Sequence, residues 1–114
     1  MSEPILHITS RDAWRRAVHE RIYRADTLRT QGFIHASRPD QVVAVANALF
    51  HGRRDLVLLV IDPDMVQAEI RFEIVGDGLY PHVYGPLNLD AVTAVREFPP
   101  DARGRFALPA ELGR

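Results

Sequence analysis

An unbroken apolar run, Leu56 to Ile61, constrains the fold more than any other segment of this sequence. Asp55 precedes the run, and Asp62-Pro63 follows it as a turn. Successive side chains of a strand point to opposite faces, so a strand that is apolar at every position is expected to be covered on both faces. The run therefore predicts a central strand, around which the other elements pack.

Turn residues and apolar periodicity divide the rest of the chain into two main helices and several further strands. The strands are expected over residues 4–9, 33–36, 69–75, 81–85 and 92–98. In the first of them, Leu6 and Ile8 are expected to face the core, and His7 and Thr9 are expected on the opposite side.

Both helices follow directly after a predicted strand. Ser10 is a favourable N-cap for a helix that begins at Arg11. Ser37 is expected to cap the second helix, which ends near Gly52. The resulting order, β-α-β-α-β-β-β-β, favours an α+β fold with a mostly antiparallel sheet over a doubly wound parallel sheet.

Composition limits the classes of function open to the chain. Its 114 residues fit a single domain over residues 1–114, which can bury a core without disulfides or metal. The absence of cysteine excludes thiolate zinc sites and cysteine nucleophiles. A net charge of −1 does not indicate nucleic acid as a partner. No secretory signal or membrane-spanning run is recognisable, so a cytoplasmic location without membrane contact is expected.

Three of the five histidines share one local pattern, in which a hydroxyl residue follows two positions after the histidine. Residues two apart in a strand lie on one face, so each imidazole should point the same way as its hydroxyl. If the strands share a sheet, the three imidazoles could line one cleft. The other two histidines, His19 and His51, are expected at the surface. The pattern occurs in His7-Ile8-Thr9, His35-Ala36-Ser37 and His82-Val83-Tyr84.

The segment after the second histidine adds a candidate anion site. A helix start at Ser37 would offer free main-chain N–H groups, and Arg38 stands beside them, so a phosphate or carboxylate could bind there. Helix capping is the competing explanation for Ser37 and for Thr9 beside Ser10. For Tyr84 the competing explanation is core packing.

Two other site chemistries fit the sequence less well. Three histidines and a water form a catalytic zinc arrangement, but the chain has no close pair such as H-x-H. A serine hydrolase is disfavoured because no Gly-x-Ser-x-Gly elbow occurs. No metal is therefore expected, a His-coordinated metal hydrolase is less favoured than a binding module, and a serine hydrolase is less favoured still.

Several segments carry a family resemblance that extends from Ile5 to Pro109. They are Ile5-Leu6-His7-Ile8-Thr9, Gly32-Phe33-Ile34-His35-Ala36-Ser37, Leu56 to Pro63, and Pro81-His82-Val83-Tyr84-Gly85-Pro86-Leu87. Together they resemble a small bacterial family known only as domain of unknown function 952. That family is distantly similar to the ADP-ribosyltransferase fold, which includes the RNA 2′-phosphotransferases and places a split, antiparallel-rich sheet around an NAD cleft.

The resemblance implies NAD as a cofactor and one site residue from each of three strands. His7 corresponds to the residue that holds the NAD ribose, and His35, with Ser37 nearby, corresponds to the second-strand position. His82 stands where many members carry a catalytic glutamate. An imidazole cannot stabilise a cationic, oxocarbenium-like centre as a carboxylate does, so ordinary protein ADP-ribosylation is disfavoured. Phosphotransferase-like or NAD-derivative chemistry, or binding without turnover, is left open.

The leading hypothesis is an α+β domain of ADP-ribosyltransferase-like fold that binds NAD or a related phosphorylated nucleotide. The expected acid–base residues are His82 and His35. A non-catalytic ligand-binding or protein-interaction module is the alternative, and the oligomeric state is left open. The expected ligand-binding residues are His7, Thr9, Ser37, Arg38 and Tyr84.

Overall fold

The computed structural model describes residues 2–112. Within this range its α-helices are Arg11–Glu20 (α1), Asp26–Thr30 (α2) and Val42–Leu49 (α3). Its strands are Ile5–Ser10 (β1), Ile22–Tyr23 (β2), Ile34–His35 (β3), Leu56–Ile61 (β4), Glu69–Val75 (β5), Gly78–Tyr84 (β6), Leu87–Asn88 (β7) and Val92–Glu97 (β8). No helix in this range is long and apolar enough to cross a bilayer.

The strand pairings among residues 2–112 are all antiparallel. One sheet has the order β1-β4-β8, a second sheet has the order β3-β6-β5, and β2 pairs separately with β7. The helices are gathered in the first half of the chain. This arrangement confirms the predicted α+β class.

The apolar run forms β4, which is the central strand of the first sheet, and all six of its side chains are buried. Alternate residues serve different cores. Val57, Leu59 and Ile61 pack in a first core cluster together with Ile34 and Val83 of the second sheet. The intervening residues of β4 pack in a second core cluster with side chains of α3.

A main-chain contact joins the two sheets. The N–H of Leu6 donates to the carbonyl of Ser37, and the N–H of Ser37 donates to the carbonyl of Leu6, both at 2.8 Å. One residue earlier, the N–H of Ala36 donates to the carbonyl of Pro81 on β6 at 3.1 Å. The segment Ala36–Ser37 therefore pairs first with β6 and, one residue later, with β1. This change of partner brings together β1, β3 and β6, the three strands that carry histidines.

The predicted helix starts differ in outcome. The prediction for α1 is confirmed, because Ser10 Oγ accepts the N–H of Ala13 at 3.0 Å. The prediction that Ser37 caps the second helix is wrong, since α3 begins at Val42. An N-cap residue supplies the first carbonyl of its helix, whereas the carbonyl of Ser37 is already bonded to Leu6.

The predicted division of β1 into a core side and an opposite side is also wrong. Both faces of the first sheet are covered, so Ile5 and Leu6 are equally buried in the two different core clusters. His7 points the same way as Ile5, into the interior. The two-residue strands β2 and β7 were not predicted, because two residues are too few to show a periodic pattern.

We expect truncation of a buried side chain of the central strand β4 to destabilise the protein far more than truncation of an exposed side chain. Leu59→Ala removes a fully buried side chain of the first core cluster and should lower the free energy of unfolding by about 3 kcal/mol. Leu79→Ala, on the half-exposed hairpin, should lower it by less than about 1 kcal/mol. Urea unfolding of the two variants would measure the difference, and equal losses would contradict the central role of β4.

Candidate functional site

His7 lies in the interior with partners on both ring nitrogens. Its Nδ1 is 2.5 Å from the main-chain oxygen of His35, and its Nε2 is 2.7 Å from the hydroxyl of Tyr23. The same hydroxyl is 2.9 Å from Oγ1 of Thr9. His7 and Thr9 therefore share a face of β1, as the alternation predicted, and they meet at one tyrosine.

The carbonyl at one end of this network determines where the hydrogens lie. A carbonyl only accepts, so Nδ1 of His7 carries the hydrogen and donates it to the oxygen of His35. The lone pair on Nε2 then accepts the hydroxyl hydrogen of Tyr23, whose oxygen in turn accepts from Thr9. Every hydrogen bond in this network of His7, Tyr23 and Thr9 has a donor and an acceptor when His7 is neutral.

Burial favours this neutral form of His7. It lowers the pKa of His7 from 6.5 to about 4. The hydrogen bond to the His35 carbonyl raises this pKa, but its effect is smaller than that of burial. Burial also raises the pKa of Tyr23. His7, Tyr23 and Thr9 thus form an uncharged polar group inside the protein. His7 holds β1 to β3 through the carbonyl of His35, and His7 and Thr9 together hold β1 to Tyr23 of β2.

His35 and His82 lie side by side on the outer face of the second sheet. They are opposite each other on β3 and β6, with ring centroids 5.3 Å apart. Their chain neighbours Ile34 and Val83 point the other way, into the first core cluster. Two of the three predicted histidines therefore share one site, whereas His7 reaches only the main chain of His35, from the interior.

Glu73 on β5 links His82 to Tyr84. Its Oε1 accepts from Nδ1 of His82 at 2.8 Å and from the hydroxyl of Tyr84 at 2.5 Å. The bond from Tyr84 and then the bond from His82 lower the pKa of Glu73, and the bond to Glu73 raises the pKa of Tyr84. Glu73 is therefore an ionised acceptor at neutral pH, and His82 and Tyr84 share a face as predicted.

The second ring nitrogen of His82 has no partner among the described residues. Because Nδ1 donates to the carboxylate, the neutral ring presents a lone pair at Nε2. That atom is buried and forms no hydrogen bond within residues 2–112, and His82 is only 3% exposed. An unpaired buried polar atom costs about 1–3 kcal/mol. The fold itself offers no compensation for this atom.

Aromatic rings and one arginine surround His82. Phe33 stacks on it with ring centroids 4.1 Å apart and an interplanar angle of 19°. The guanidinium of Arg71 lies 4.3 Å from the ring centre of Tyr84 and forms a 3.0 Å ion pair with Glu69. Burial, and then a charge on His82, lower the pKa of His35, whose Nε2 donates to Gln31 at 2.9 Å. We call Phe33, His35, Arg71, Glu73, His82 and Tyr84 the outer cluster.

The other predicted ligand residues lie elsewhere. Ser37 is buried at the junction of the sheets. Arg38 forms a 3.2 Å ion pair with Asp40, and the predicted anion pocket at a helix start there is wrong because α3 begins at Val42. Arg38 instead lines a groove of about 290 Å³ on the opposite face of β5 from Glu73. The groove is also lined by Ser2, Glu3, Ile5, Pro63, Ile70 and Phe72.

A metal centre finds no ligand set in the part of the chain that the structure describes, since no three or more histidine, aspartate and glutamate side chains are arranged to hold an ion. His19 and His51 are exposed, as predicted.

Sequence reasoning missed Glu73, Tyr23 and Phe33. Glu73 lies in the predicted strand 69–75, where the local pattern does not set it apart from Glu69 and Arg71. A usable signal was the hairpin turn Gly76-Asp77, since a two-residue turn sets the register of β5 against β6 and brings Glu73 beside His82. Tyr23 gave no such signal, because a two-residue strand positions it.

The fold and the outer cluster together define an α+β protein with two three-stranded antiparallel sheets and a histidine–glutamate pair on an outer face. The chain belongs to the family described as "Protein of unknown function (DUF952)", whose model matches residues 8–95. This confirms the family predicted from the sequence.

Solved structures of a bacterial protein share the fold. The crystal structure of protein CC0527 from Caulobacter crescentus is 29% identical, with a TM-score of 0.88 over 97% of this chain and 99% of that chain. The solution NMR structure of CC0527 gives a TM-score of 0.79 over 91% of each chain, again at 29% identity. No curated protein matches this chain.

We expect the buried network of His7 to make the protein sensitive to mild acid. Folding lowers the pKa of His7, so between pH 6.5 and about 4 the unfolded chain binds the proton more readily than the folded chain. Stability should therefore be constant above pH 6.5 and fall as the pH drops, by about 3 kcal/mol in total from this group. Urea unfolding at a series of pH values would measure the loss.

Matched variants assign that loss to His7. His7→Asn keeps a side-chain N–H that can donate to the carbonyl of His35 but removes the titrating ring, so its stability should vary much less between pH 6.5 and 5. His51→Asn, at an exposed position, should retain the wild-type dependence. An unchanged slope in His7→Asn would contradict the assignment.

Proposed function

We propose that the outer cluster is a ligand site at which His82, oriented by Glu73, acts as a general acid–base on a phosphorylated nucleotide, with NAD as the first candidate. The observation that carries this proposal is the buried, unpartnered Nε2 of His82. The rings of Phe33 and His35 pack against His82, so a ligand that reaches this buried imidazole must displace neighbouring side chains.

The histidine–glutamate pair is suited to proton transfer. Glu73 fixes the tautomer of His82, because its carboxylate accepts the hydrogen of Nδ1 and leaves the lone pair on Nε2. An ionised Glu73 would also stabilise the imidazolium that forms when Nε2 takes a proton. Tyr84 holds the same carboxylate oxygen and so restricts the position of Glu73.

The residues around His82 fit the parts of a dinucleotide. The faces of Phe33 and Tyr84 offer stacking surfaces for a base or a nicotinamide ring. Arg71 is half-exposed and offers donors for a phosphate. NAD, when bound, would supply a glycosidic bond whose cleavage releases nicotinamide. The ADP-ribosyltransferase-like fold that the sequence resemblance implies makes NAD the first ligand to test.

The charge of the outer cluster makes binding dependent on pH. Arg71 is opposed by Glu69 and Glu73, so an anionic ligand gains little attraction while His35 is neutral. The pKa of His35 is lowered, so its protonation adds positive charge only as the pH falls below its ordinary value of 6.5. NAD affinity should therefore change little between pH 8 and pH 6.5 and rise as the pH falls from 6.5 to 5.5.

We expect NAD to perturb the outer cluster selectively. In long-range proton–nitrogen NMR spectra, millimolar NAD should shift the ring signals of His35 and His82 and leave those of His19 and His51 unchanged. His82→Gln should raise the dissociation constant about tenfold by removing the hydrogen bond at Nε2. The matched control His51→Gln should bind as wild type.

Turnover is measured separately, as nicotinamide released with and without an added phosphorylated RNA end. Glu73→Gln preserves an acceptor for Tyr84 but removes the charge that supports His82, and it should slow release about 100-fold. Binding at His82 without release would favour the non-catalytic ligand-binding module. No shift of His35 or His82 at millimolar NAD would contradict the proposed ligand.

A further inference from the structure

Strand β5 forms an open edge of the second sheet. It pairs with β6 on one side, and no main-chain hydrogen bond from any other segment of residues 2–112 reaches residues 69–75. An unprotected edge of seven residues is a template for pairing with another strand. The other end of this sheet is closed, because the chain after β3 is bonded to β1 through Ser37.

The main-chain groups that point outward from β5 can be identified. The carbonyl of Pro81 accepts from Ala36, so the polar groups of Pro81 face β3 and not β5. Phe72 lies opposite Pro81, and in an antiparallel ladder its own N–H and C=O must then point away from β6. The alternation of the strand gives Ile70 and Ile74 the same outward direction.

The edge is also unusually apolar for an exposed strand. Phe72 is 52% exposed and Ile74 is 77% exposed, and Leu79, opposite Ile74 on β6, is 46% exposed. These side chains lie on the face of the hairpin away from the outer cluster. No proline interrupts residues 69–75, and the charged side chains of the strand, Glu69, Arg71 and Glu73, lie on its other face.

The sequence of β5 is self-complementary about its middle residue. If a second copy pairs antiparallel with Phe72 opposite Phe72, then Arg71 of each copy lies opposite Glu73 of the other. Ile70 lies opposite Ile74 in the same register. Oppositely charged pairs and apolar pairs across neighbouring strands both stabilise a sheet. All seven residues of β5 have a partner in this register, because Glu69 lies opposite Val75 at each end.

We infer that the protein forms a two-fold symmetric dimer in which β5 pairs with β5 of a second copy, centred on Phe72. The outward main-chain groups fit this register: Phe72 faces Phe72, and Ile70 faces Ile74, as hydrogen-bonded pairs. Arg71 and Glu73 then form the closer, non-hydrogen-bonded pairs, where side chains approach best. The two second sheets become one continuous sheet.

Neighbouring registers are less favourable. A two-fold axis at Arg71 sets two arginines opposite each other, and an axis at Glu73 sets two glutamates opposite each other. An axis at Ile70 pairs Glu69 with Arg71 but leaves Ile74 without a partner strand. Charge pairing and the number of paired strand residues therefore both favour the register centred on Phe72.

The dimer adds a residue to the outer cluster. A two-fold axis normal to the sheet keeps both outer clusters on the same face, so Arg71 from the second copy lies beside Glu73, the residue that holds His82 and Tyr84. The added guanidinium offsets the excess of carboxylates there. The dimer requires only the open edge of β5 and does not depend on the ligand proposed above.

The absence of cysteine allows a direct test of the register. In a hydrogen-bonded antiparallel pair the two Cα atoms are about 5.5 Å apart, within the range for a disulfide. Phe72→Cys should therefore form a disulfide-linked dimer under mild oxidation. Ile74→Cys is the matched control, since its two copies would be separated by about 13 Å along the strands and should not cross-link.

Charge exchange tests the ion pairs in the full-length protein. Wild type should sediment with twice the chain mass of 12.9 kDa. Arg71→Glu sets carboxylates opposite each other on both sides of the axis and should raise the dimer dissociation constant about tenfold or more. Adding Glu73→Arg restores opposite charges and should recover dimerisation. Glu69→Lys, opposite an apolar Val75, should leave it unchanged.

Each remaining outcome counts against the inference. A wild-type protein that stays at 12.9 kDa up to millimolar concentration would overturn the dimer. Cross-linking of Ile74→Cys in place of Phe72→Cys, or loss of the dimer in Glu69→Lys, would overturn the register. Circular dichroism of every variant establishes that the fold is retained, so that dissociation is not confused with unfolding.

Discussion

The reciprocal main-chain hydrogen bonds between Leu6 and Ser37 are the contact on which the rest of this structure depends. They hold the first sheet to the second and close one end of the second sheet, which leaves β5 as its open edge. They also take up the carbonyl of Ser37 and so delay the start of α3 to Val42. The bond from His7 to the carbonyl of His35 reinforces this junction from the core side.

Histidine serves opposite purposes on the two sides of β3. In the interior, burial keeps His7 neutral, and both nitrogens are used by the protein itself. On the outer face, Glu73 occupies only one nitrogen of His82 and leaves the other unpaired. The same short pattern of histidine and hydroxyl thus has a structural role at His7 and supplies a candidate acid–base group at His82. The difference comes from the residue that bonds to each pair, which is Tyr23 in the interior and Glu73 on the outer face.

Local patterns were sufficient to predict much of the fold. The apolar run predicted β4 as the central strand, Ser10 predicted the start of α1, and alternation predicted that His7 and Thr9 share a face, as do His82 and Tyr84. Contacts between distant segments were not predictable in this way. The roles of Tyr23 and Glu73 depend on which strands become neighbours, and the direction of Ser37 depends on its pairing with β1.

Pro81 explains where the chain can leave one sheet for the other. It lies in the middle strand of the second sheet, at a position whose main-chain polar groups face β3, but it has no N–H to give to β3. Its carbonyl still accepts from Ala36, so only half of that pair can exist. At the Ala36–Pro81 pair the departure of the chain toward Leu6 therefore gives up no hydrogen bond, because the missing bond is one that Pro81 cannot donate. A proline on β6 therefore determines where the segment after β3 changes its pairing partner from β6 to β1, although Pro81 itself belongs to neither of the segments that it helps to join.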